Sequence, residues 1–286
     1  MPLYKIVILA IVQGLAELLP VSSSAHVVVA ERLMGLNASS PQMTLMLVML
    51  HTGTMFAVIA YFWSQWRRTY FRSRGAFNLI AIRLVWATVL TGIVGLVMMK
   101  VVEKTLLRGV PHAQVEDLFN HLEWIWPALA VAGILILIAG LFSRDECIDQ
   151  QREPSLNQSG WIGAVQGLCL PFRGFSRSGA TISTGMLAGV ARERAEVFSF
   201  ALAVILTPPV VAREVLRLAH AQHINGGLHL AEALLPGAIG ALCSFVAGLL
   251  ALRWLSRWLE GGRWYWFGIY CLFASGVVFY LHRIGY

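Results

Sequence analysis

One polar pattern occurs twice in this chain, in two segments whose first residues are 153 positions apart. The first segment, QGLAELLPVSSSAH, covers residues 13–26, and the second, QGLCLPFRGFSRSGAT, covers residues 166–181. Both begin Gln-Gly-Leu, continue as an apolar run to a proline and then present a cluster of hydroxyl side chains. The first cluster brings Glu17 and His26, whereas the second brings Arg177. Together the segments supply an acid, an imidazole and a guanidinium beside several hydroxyls.

The first segment has the residue types of a phosphoryl-transfer site. Gln13 and Glu17 are four residues apart, so they lie on the same face of a helix. A carboxylate at membrane depth is costly unless it is paired or functional. We interpret Glu17 as a general base or, together with Gln13, as a ligand for a divalent cation. The structural alternative is a carboxylate that a neighbouring helix satisfies.

Three serines follow the proline of this segment. Ser22, Ser23 and Ser24 fall where the chain restarts, which predicts the start of a helix whose free N–H groups bind phosphate. A helix N-cap explains only one of them. His26 follows Ser23 by three residues, and a hydroxyl activated by an imidazole is a common design of nucleophile. We predict Ser23 as the nucleophile and His26 as its acid/base partner. Direct attack by His26, or by a water that Glu17 activates, stays open.

Arg177 lies among glycines and hydroxyls directly after the second proline break. Its rigid guanidinium suits bidentate binding of phosphate, and glycines let the backbone come close to an anion. A snorkelling arginine is the alternative, but it gives no reason for these neighbours. We therefore predict that Arg177 binds the phosphate. The other predicted phosphate-binding residues are Ser22, Ser24, Gly174, Ser176, Ser178 and Thr181.

The composition places these segments in a membrane. The chain has 286 residues, of which 57% are hydrophobic and only 13% charged, and its mean hydropathy is +0.67. A soluble domain carries roughly twice that charged fraction. Apolar stretches near the ~20 residues that cross a bilayer predict six spans. They cover residues 43–63, 79–100, 124–142, 195–212, 230–252 and 264–284.

Two finer features of these spans bear on the site. The fourth span is short and is expected to end at Pro208-Pro209. His51 lies in the first span beside Thr52-Gly53-Thr54. It is able to line a cavity, but we interpret this run as helix packing through small residues.

The net charge of +7 fits a positive-inside bias and attraction to anionic lipids. No basic face with interleaved aromatic residues is visible, so we expect no nucleic-acid partner.

We predict an all-α integral membrane protein in which two halves repeat one plan with inverted topology. Each half begins with a re-entrant helical hairpin, because its first two apolar segments are too short to cross singly, and continues with three spans. The first repeat is 1–142, with its hairpin at 3–36, and the second is 158–286, with its hairpin at 158–190. An odd number of spans turns the second half upside down. The two hairpins therefore enter from opposite faces and meet near the bilayer midplane.

Arginines assign the two sides of this arrangement. They concentrate in the loop 64–78, in the segment 253–263 and in the polar linker 143–157 between the halves. The positive-inside rule makes this side cytoplasmic. Both termini are then expected on the periplasmic side.

These residues resemble the undecaprenyl-diphosphate phosphatase family, also called the bacitracin-resistance family. Its first motif is Glu or Gln four residues before a Glu, followed by Pro-Val-Ser-Ser and a His, and residues 13–26 match it. Its second motif is Pro-Gly-x-Ser-Arg-Ser-x-x-Thr. Residues 173–181 match it except that Arg173 replaces the proline, while Pro171 lies two residues earlier. The departure concerns the shape of the second loop and not the role of Arg177.

The resemblance covers the whole chain and implies six spans with two re-entrant hairpins in the bacterial inner membrane. The implied activity is hydrolysis of undecaprenyl diphosphate to undecaprenyl phosphate and inorganic phosphate, which recycles the lipid carrier of cell-wall synthesis. It also implies a divalent cation, Mg²⁺ or Ca²⁺, and an active site that faces the periplasm. The expected partners are the polyprenyl diphosphate substrate and membrane lipids, and a homodimer is one option.

Other functions compete with this interpretation. Phosphatases of the phosphatidic-acid type need a histidine six residues after the motif arginine, where this chain has Ser183. A polyprenyl-phosphate transporter or flippase is the main alternative, because carriers also use inverted repeats whose broken helices point at an anion. Such a carrier needs the phosphate site but not a Ser/His pair, so the pair favours the enzyme. A catalytically silent lipid-binding homologue is disfavoured, because only the shifted proline departs from the motifs.

Overall fold

The computed structural model of the chain describes residues 1–36, 41–106, 122–143, 153–225 and 230–285. These residues form ten helices and no strand, which confirms the predicted all-α class. The predicted linker lies mostly outside the described residues. In chain order the helices are α1 Leu3–Leu18, α2 Ser23–Leu33, α3 Pro41–Thr69, α4 Arg74–Leu106, α5 Leu122–Phe142, α6 Leu156–Cys169, α7 Arg177–Leu187, α8 Arg192–Asn225, α9 Leu230–Glu260 and α10 Tyr265–Arg283.

Six of these helices are long and apolar enough to cross a bilayer, namely α3, α4, α5, α8, α9 and α10. They match the six predicted spans, of which only 264–284 extends beyond its helix, by one residue at each end, so the protein is a multi-pass membrane protein. The expected end of the fourth span is wrong, because α8 continues through Pro208 and Pro209 to Asn225. Prolines are tolerated in membrane helices where neighbouring groups satisfy the backbone that they leave free.

The four short helices form two antiparallel pairs. At the outer end of the first pair, Lys5 Nζ of α1 donates to the carbonyl oxygen of Met34, directly after α2, at 2.6 Å. At the outer end of the second pair, Gln158 Nε2 of α6 donates to the carbonyl oxygen of Ala188, directly after α7, at 2.9 Å. Each contact joins the first turn of one helix to the end of the next. The connecting loops of both pairs therefore lie at the inner ends.

Each short pair packs chiefly on a long helix of the other half of the chain, α1 on α9 and α6 on α4. Two glycines permit this close packing. A Cβ at Gly14 would lie 2.6 Å from the Cβ of Ala247, and a Cβ at Gly167 would lie 2.7 Å from the carbonyl oxygen of Thr91. Gly14 and Gly167 hold the same place in the Gln-Gly-Leu pattern. The close packing of α1 on α9 and of α6 on α4 therefore explains why both copies of the pattern contain glycine.

Polar contacts gather the ends of α3, α6 and α8 at one end of the bundle. Arg194 Nη1 lies 2.8 Å from Glu153 Oε1, and Gln65 Nε2 donates to Glu193 Oε1 at 2.7 Å. Burial raises the pKa of Glu153, and the adjacent guanidinium offsets this only in part. The arginine-rich segment 64–78 lies at the same end, which we call the basic end, and it comprises the last turns of α3, the connection 70–73 and the start of α4.

The end of α9 also lies at the basic end. Ser256 Oγ of α9 donates to Glu196 Oε1 in the second turn of α8 at 3.0 Å. The arginines of the segment 253–263 therefore lie at the same end of the bundle as those of the segment 64–78. Because α9 ends here, its first turns lie at the opposite end of the bundle.

Candidate active site

The inner ends of the two short pairs meet inside the bundle. Ser24 Oγ accepts a hydrogen bond from the backbone N–H of Gly174 at 3.1 Å, and Ser178 Oγ donates to the carbonyl oxygen of Leu19 at 3.2 Å. These bonds join the first turn of α2 to the loop before α7, and the first turn of α7 to the loop before α2. The first turns of both helices therefore converge on one cleft. Helix N-termini carry partial positive charge and free N–H groups, so this cleft favours an anion.

Glu17 lies at the centre of this cleft. Its Oε1 atom is 2.6 Å from Nη2 of Arg177, while its Oε2 atom accepts hydrogen bonds from Ser23 Oγ at 2.5 Å and from Gln13 Nε2 at 3.1 Å. The Glu17 side chain is 13% exposed and that of Arg177 is 26% exposed, so both reach the cleft. The fold thus brings together the acid, the hydroxyl and the guanidinium of the two sequence segments.

The helix α3 adds His51, which the sequence interpretation assigned to packing. Its Nε2 atom lies 3.6 Å from Glu17 Oε2, and its side chain is 43% exposed. Its Nδ1 atom lies 2.8 Å from the carbonyl oxygen of Leu47 and carries the proton, because a carbonyl only accepts. Gly53 does pack closely, since a Cβ there would lie 2.2 Å from the carbonyl oxygen of Ala241. A histidine in an otherwise apolar span was the available signal.

His26 reaches the edge of the cleft but does not bond to Ser23. Its Nδ1 atom lies 2.8 Å from the carbonyl oxygen of Ser22, and its Nε2 atom lies 2.7 Å from the hydroxyl of Tyr270. Because the carbonyl accepts, Nδ1 carries the proton and Nε2 accepts from the Tyr270 hydroxyl. The hydroxyl of Ser23 bonds to Glu17 instead. The three-residue spacing of Ser23 and His26 did not reveal that α10 supplies the partner of this imidazole.

Several hydroxyls that were predicted to bind phosphate make bonds within the fold. Ser176 Oγ caps α7 by accepting from the N–H of Gly179 at 3.1 Å. Thr181 Oγ1 lies 2.6 Å from Ser199 Oγ of α8. Both side chains are almost fully buried. They hold α7 in place, and their contacts with phosphate stay predictions.

Each of the two loops at the cleft contains a residue with positive φ. Among the described residues, Ser22 is the one non-glycine residue with positive φ, at 67°. Its Oγ atom caps α2 by accepting from the N–H of Ala25 at 3.4 Å. Gly174 has a φ of 101°, and a Cβ there would lie 2.4 Å from the carbonyl oxygen of Ile125. Gly174 adopts this conformation freely, whereas the strained backbone of Ser22 persists only where surrounding contacts enforce it, as they often do at functional sites.

An apolar groove leads away from the cleft between α2, α5 and α10. His26 and Tyr270 stand at its polar edge. The groove is otherwise lined by hydrocarbon side chains, so its chemistry suits an extended apolar chain. These side chains include Ala25, Val29, Leu129, Phe273, Ala274 and Val277.

Comparison with known proteins places this geometry in a family. The chain matches the profile of the family described as bacitracin resistance protein BacA over residues 6–278. It is 55% identical over 281 residues to undecaprenyl-diphosphatase 2 of Acinetobacter baylyi, covering 97% of each chain. It is 34% identical over 286 residues to undecaprenyl-diphosphatase 2 of Burkholderia orbicola, covering 96% of this chain and 95% of that relative. The resemblance inferred from the two motifs is confirmed, and the chain belongs to the bacitracin resistance protein BacA family.

Proposed function

We propose that this protein is an undecaprenyl-diphosphatase, which hydrolyses undecaprenyl diphosphate to undecaprenyl phosphate and inorganic phosphate. The observation that carries the proposal is the meeting of Glu17, Ser23 and Arg177 in one cleft beside an apolar groove. A lipid diphosphate has both chemistries, an anionic head and a long hydrocarbon tail. Relatives at 55% and 34% identity carry the same name. The product is the lipid carrier that cell-wall synthesis reuses.

In the proposed reaction, Arg177 and the first turns of α2 and α7 bind the terminal phosphate. The guanidinium is ion-paired with Glu17, and its remaining N–H groups are donors of the kind that bind phosphate oxygens in pairs. The residues predicted to bind the phosphate lie in the two loops and in the first two turns of α2 and α7, namely Ser22, Ser24, Gly174, Ser176, Ser178 and Thr181. Catalysis of phosphoryl transfer depends mainly on such positioning and charge stabilisation.

Ser23 is the proposed nucleophile. Its Oγ atom attacks the terminal phosphorus, its proton passes to Glu17, and the bond from phosphorus to the bridging oxygen breaks, so undecaprenyl phosphate leaves. Water then attacks the phosphorus of the phosphoserine, the bond from phosphorus to Ser23 Oγ breaks, Glu17 returns its proton to Oγ, and inorganic phosphate leaves. The 2.5 Å bond from Ser23 to Glu17 supports Glu17 as the proton acceptor. Attack by His26, or by a water that Glu17 activates, would leave a Ser23→Ala variant active.

The cleft offers two protein ligands for the expected divalent cation, Mg²⁺ or Ca²⁺. The described residues contain no group of three His, Cys, Asp or Glu side chains suited to a metal. Glu17 and the amide oxygen of Gln13 are oxygen donors of the hard type that both ions prefer. Mg²⁺ commonly binds through one or two carboxylates, water and substrate phosphates, so Glu17 and Gln13 would hold an ion that also binds the diphosphate. Such an ion would neutralise charge on the transferred phosphate.

We further propose that the two short pairs are re-entrant hairpins and that the halves are inverted repeats. The Cβ of Gly240 would lie near Ile6 and that of Gly248 near Leu18, so α1 runs in the same direction as α9 and begins at the end opposite the basic end. The helix α6 begins at the basic end, beside the ion pair of Glu153 with α8. Entry from opposite ends supports the inverted arrangement, with the repeats at 1–142 and 158–286.

The proposed location is the bacterial inner membrane, with the active site open to the periplasm. The positive-inside rule assigns the basic end to the cytoplasm. Gly174 lies against Ile125, near the start of α5 and thus toward the opposite end of the bundle. This supports a cleft that opens away from the cytoplasm. A homodimer stays a prediction.

The apolar groove is the proposed path of the prenyl chain. Ala274→Trp would fill it, so we expect KM for a long-chain diphosphate to rise at least tenfold with a smaller change in kcat. Gly276→Trp is the matched control on α10, because a Cβ at Gly276 meets no atom within 4 Å. Equal KM values in the two variants would exclude the groove as the path of the chain.

The deciding experiment measures phosphate release from undecaprenyl diphosphate by purified protein in detergent, with and without Mg²⁺ or Ca²⁺. We expect cation-dependent release by the wild type and loss of release in Arg177→Ala and Ser23→Ala. Arg74→Ala and Ser73→Ala, at the basic end, are the matched controls and should keep full activity. Folded wild-type protein that binds the lipid without releasing phosphate would instead indicate the transporter.

A further inference from the structure

Tyr270 is a polar residue of the cleft that neither sequence motif contains. It lies on α10, and its hydroxyl is 2.7 Å from Nε2 of His26. The two rings are nearly parallel, with an interplanar angle of 11° and centroids 5.7 Å apart. A tyrosine hydroxyl at membrane depth needs a partner, and here the partner is a residue of the family motif.

The tautomer of His26 follows from its two hydrogen bonds. The carbonyl oxygen of Ser22 accepts from Nδ1, so Nδ1 carries the ring proton. The Nε2 atom then has a lone pair, which accepts from the hydroxyl of Tyr270. Each nitrogen has one partner: the carbonyl of Ser22 fixes the proton on Nδ1, and in the neutral ring the hydroxyl of Tyr270, which can donate or accept, donates to Nε2.

These bonds link α10 to the strained loop before α2. Ser22 has a φ of 67°, and its carbonyl oxygen accepts from both the backbone N–H and Nδ1 of His26, at 3.4 and 2.8 Å. Ser23 follows directly and bonds to Glu17. A rotated imidazole would release the carbonyl of Ser22 and with it one of the contacts that hold this conformation. The position of the proposed nucleophile therefore depends on His26.

We propose that Tyr270 is a positioning residue for phosphoryl transfer. It holds the imidazole of His26 in the Nδ1–H tautomer, and His26 in turn holds the loop that aims Ser23 at the phosphate. Tyr270 also stands where the polar cleft meets the apolar groove. It therefore couples the position of the reacting hydroxyl to the point where the lipid chain leaves the cleft. This inference rests on the proposed phosphatase function.

The test replaces Tyr270 by phenylalanine, which keeps the ring in place and removes only the hydroxyl. We expect kcat for undecaprenyl diphosphate to fall about tenfold, with KM within twofold, as for the loss of one hydrogen bond in the reacting geometry. Tyr280→Phe is the matched control, because Tyr280 lies on the same helix and is 63% exposed. A wild-type kcat in Tyr270→Phe would overturn the proposal.

A second measurement reads the tautomer without reference to activity. In ¹⁵N-histidine-labelled protein, His26 should give the spectrum of a single Nδ1–H form, identified by its loss in His26→Gln. Tyr270→Phe should convert it to a mixture of tautomers, and Tyr280→Phe should not. An Nε2–H form in the wild type would overturn the proposal. If the wild type gave the expected spectrum but released no phosphate, the proposed phosphatase function would be wrong, whereas the hydrogen bond between Tyr270 and His26 would be supported.

A double-mutant cycle separates positioning from general destabilisation. If Tyr270 acts through His26, Tyr270→Phe should lower kcat by less than twofold in a His26→Gln background. Independent, multiplicative effects of the two substitutions would contradict the proposed coupling.

Discussion

The two copies of the Gln-Gly-Leu pattern perform different tasks although they share their first residues. Gln13 donates to Glu17, four residues later on the same helix, at 3.1 Å. Gln166, which is fully buried, donates to Thr91 Oγ1 of α4 at 3.3 Å, and the residue four positions after it is Leu170. The first glutamine therefore serves the cleft, whereas the second fastens one helix to another. A duplicated pattern thus preserves a packing solution while its polar groups diverge in function.

The two short pairs also differ in their surroundings. The helix α7 packs on α5 and α8 in addition to α6, whereas α2 contacts mainly α1 and borders the apolar groove. Arg177 therefore comes from an enclosed helix, while Ser23 and His26 come from a helix beside the space proposed for the lipid. We infer a division of labour, in which the second pair supplies a rigid anion-binding group and the first supplies the reacting groups.

The largest expected effect comes from the enclosed pair. Arg177→Lys should lower kcat more than 100-fold, because an ammonium cannot reproduce the planar fork of donors. The measurement is phosphate release at saturating lipid diphosphate. Arg74→Lys, at the basic end, is the control and should be unaffected. Near-normal turnover by Arg177→Lys would exclude Arg177 as the anion-binding group.

The next effect separates two neighbouring serines of the first pair. Ser23→Ala should lower kcat about 100-fold, because its hydroxyl is the one bonded to Glu17. Ser24→Ala should change kcat by less than about fivefold, since Ser24 instead accepts from the N–H of Gly174. The same phosphate-release assay compares them. If both variants were equally active, the nucleophile would be His26 or water.

A glycine in each pair tests the difference in enclosure. Gly174→Ala should destabilise the protein by more than about 2 kcal/mol and lower its activity, because positive φ and the carbonyl oxygen of Ile125 at 2.4 Å both oppose a Cβ. Gly35 has a φ of 64° but nothing within 4 Å, so Gly35→Ala should cost only about 1 kcal/mol. Thermal unfolding in detergent measures both. Equal losses would show that the second loop is no more tightly packed than the end of α2.

The smallest effect concerns the outer ends. The helix α6 starts with a capping box of Ser155 and Gln158, whereas α1 follows Pro2, which provides no side-chain cap. Ser155→Ala should therefore lower stability by about 1 kcal/mol and leave kcat unchanged. Thermal unfolding and phosphate release measure the two quantities separately. A marked loss of kcat would mean that the outer end of the second pair also controls the cleft.

Much of the site was predictable from local sequence. Proline breaks and hydroxyl clusters indicated where α2 and α7 begin, and the four-residue spacing of Gln13 and Glu17 indicated their contact. These features depend on helix geometry, which acts over a few residues. His51 and Tyr270 were not identified as site residues, because each reaches the cleft from another helix and lies outside the motifs. No local spacing encodes such a contact.

The membrane class, the six spans, the short helices and the residues able to perform phosphoryl transfer followed from the chain alone, because hydropathy, proline breaks and side-chain chemistry are local properties. Which of these residues meet depended on how the helices pack. Packing brought Ser23 into hydrogen-bond contact with Glu17, and His26 into hydrogen-bond contact with Tyr270, which lies 244 positions away in the chain. A hydrogen bond forms only between groups that packing brings within about 3 Å. The packing of α1 on α9 and of α5 on α10 is a property of the whole chain, so no local pattern encodes it.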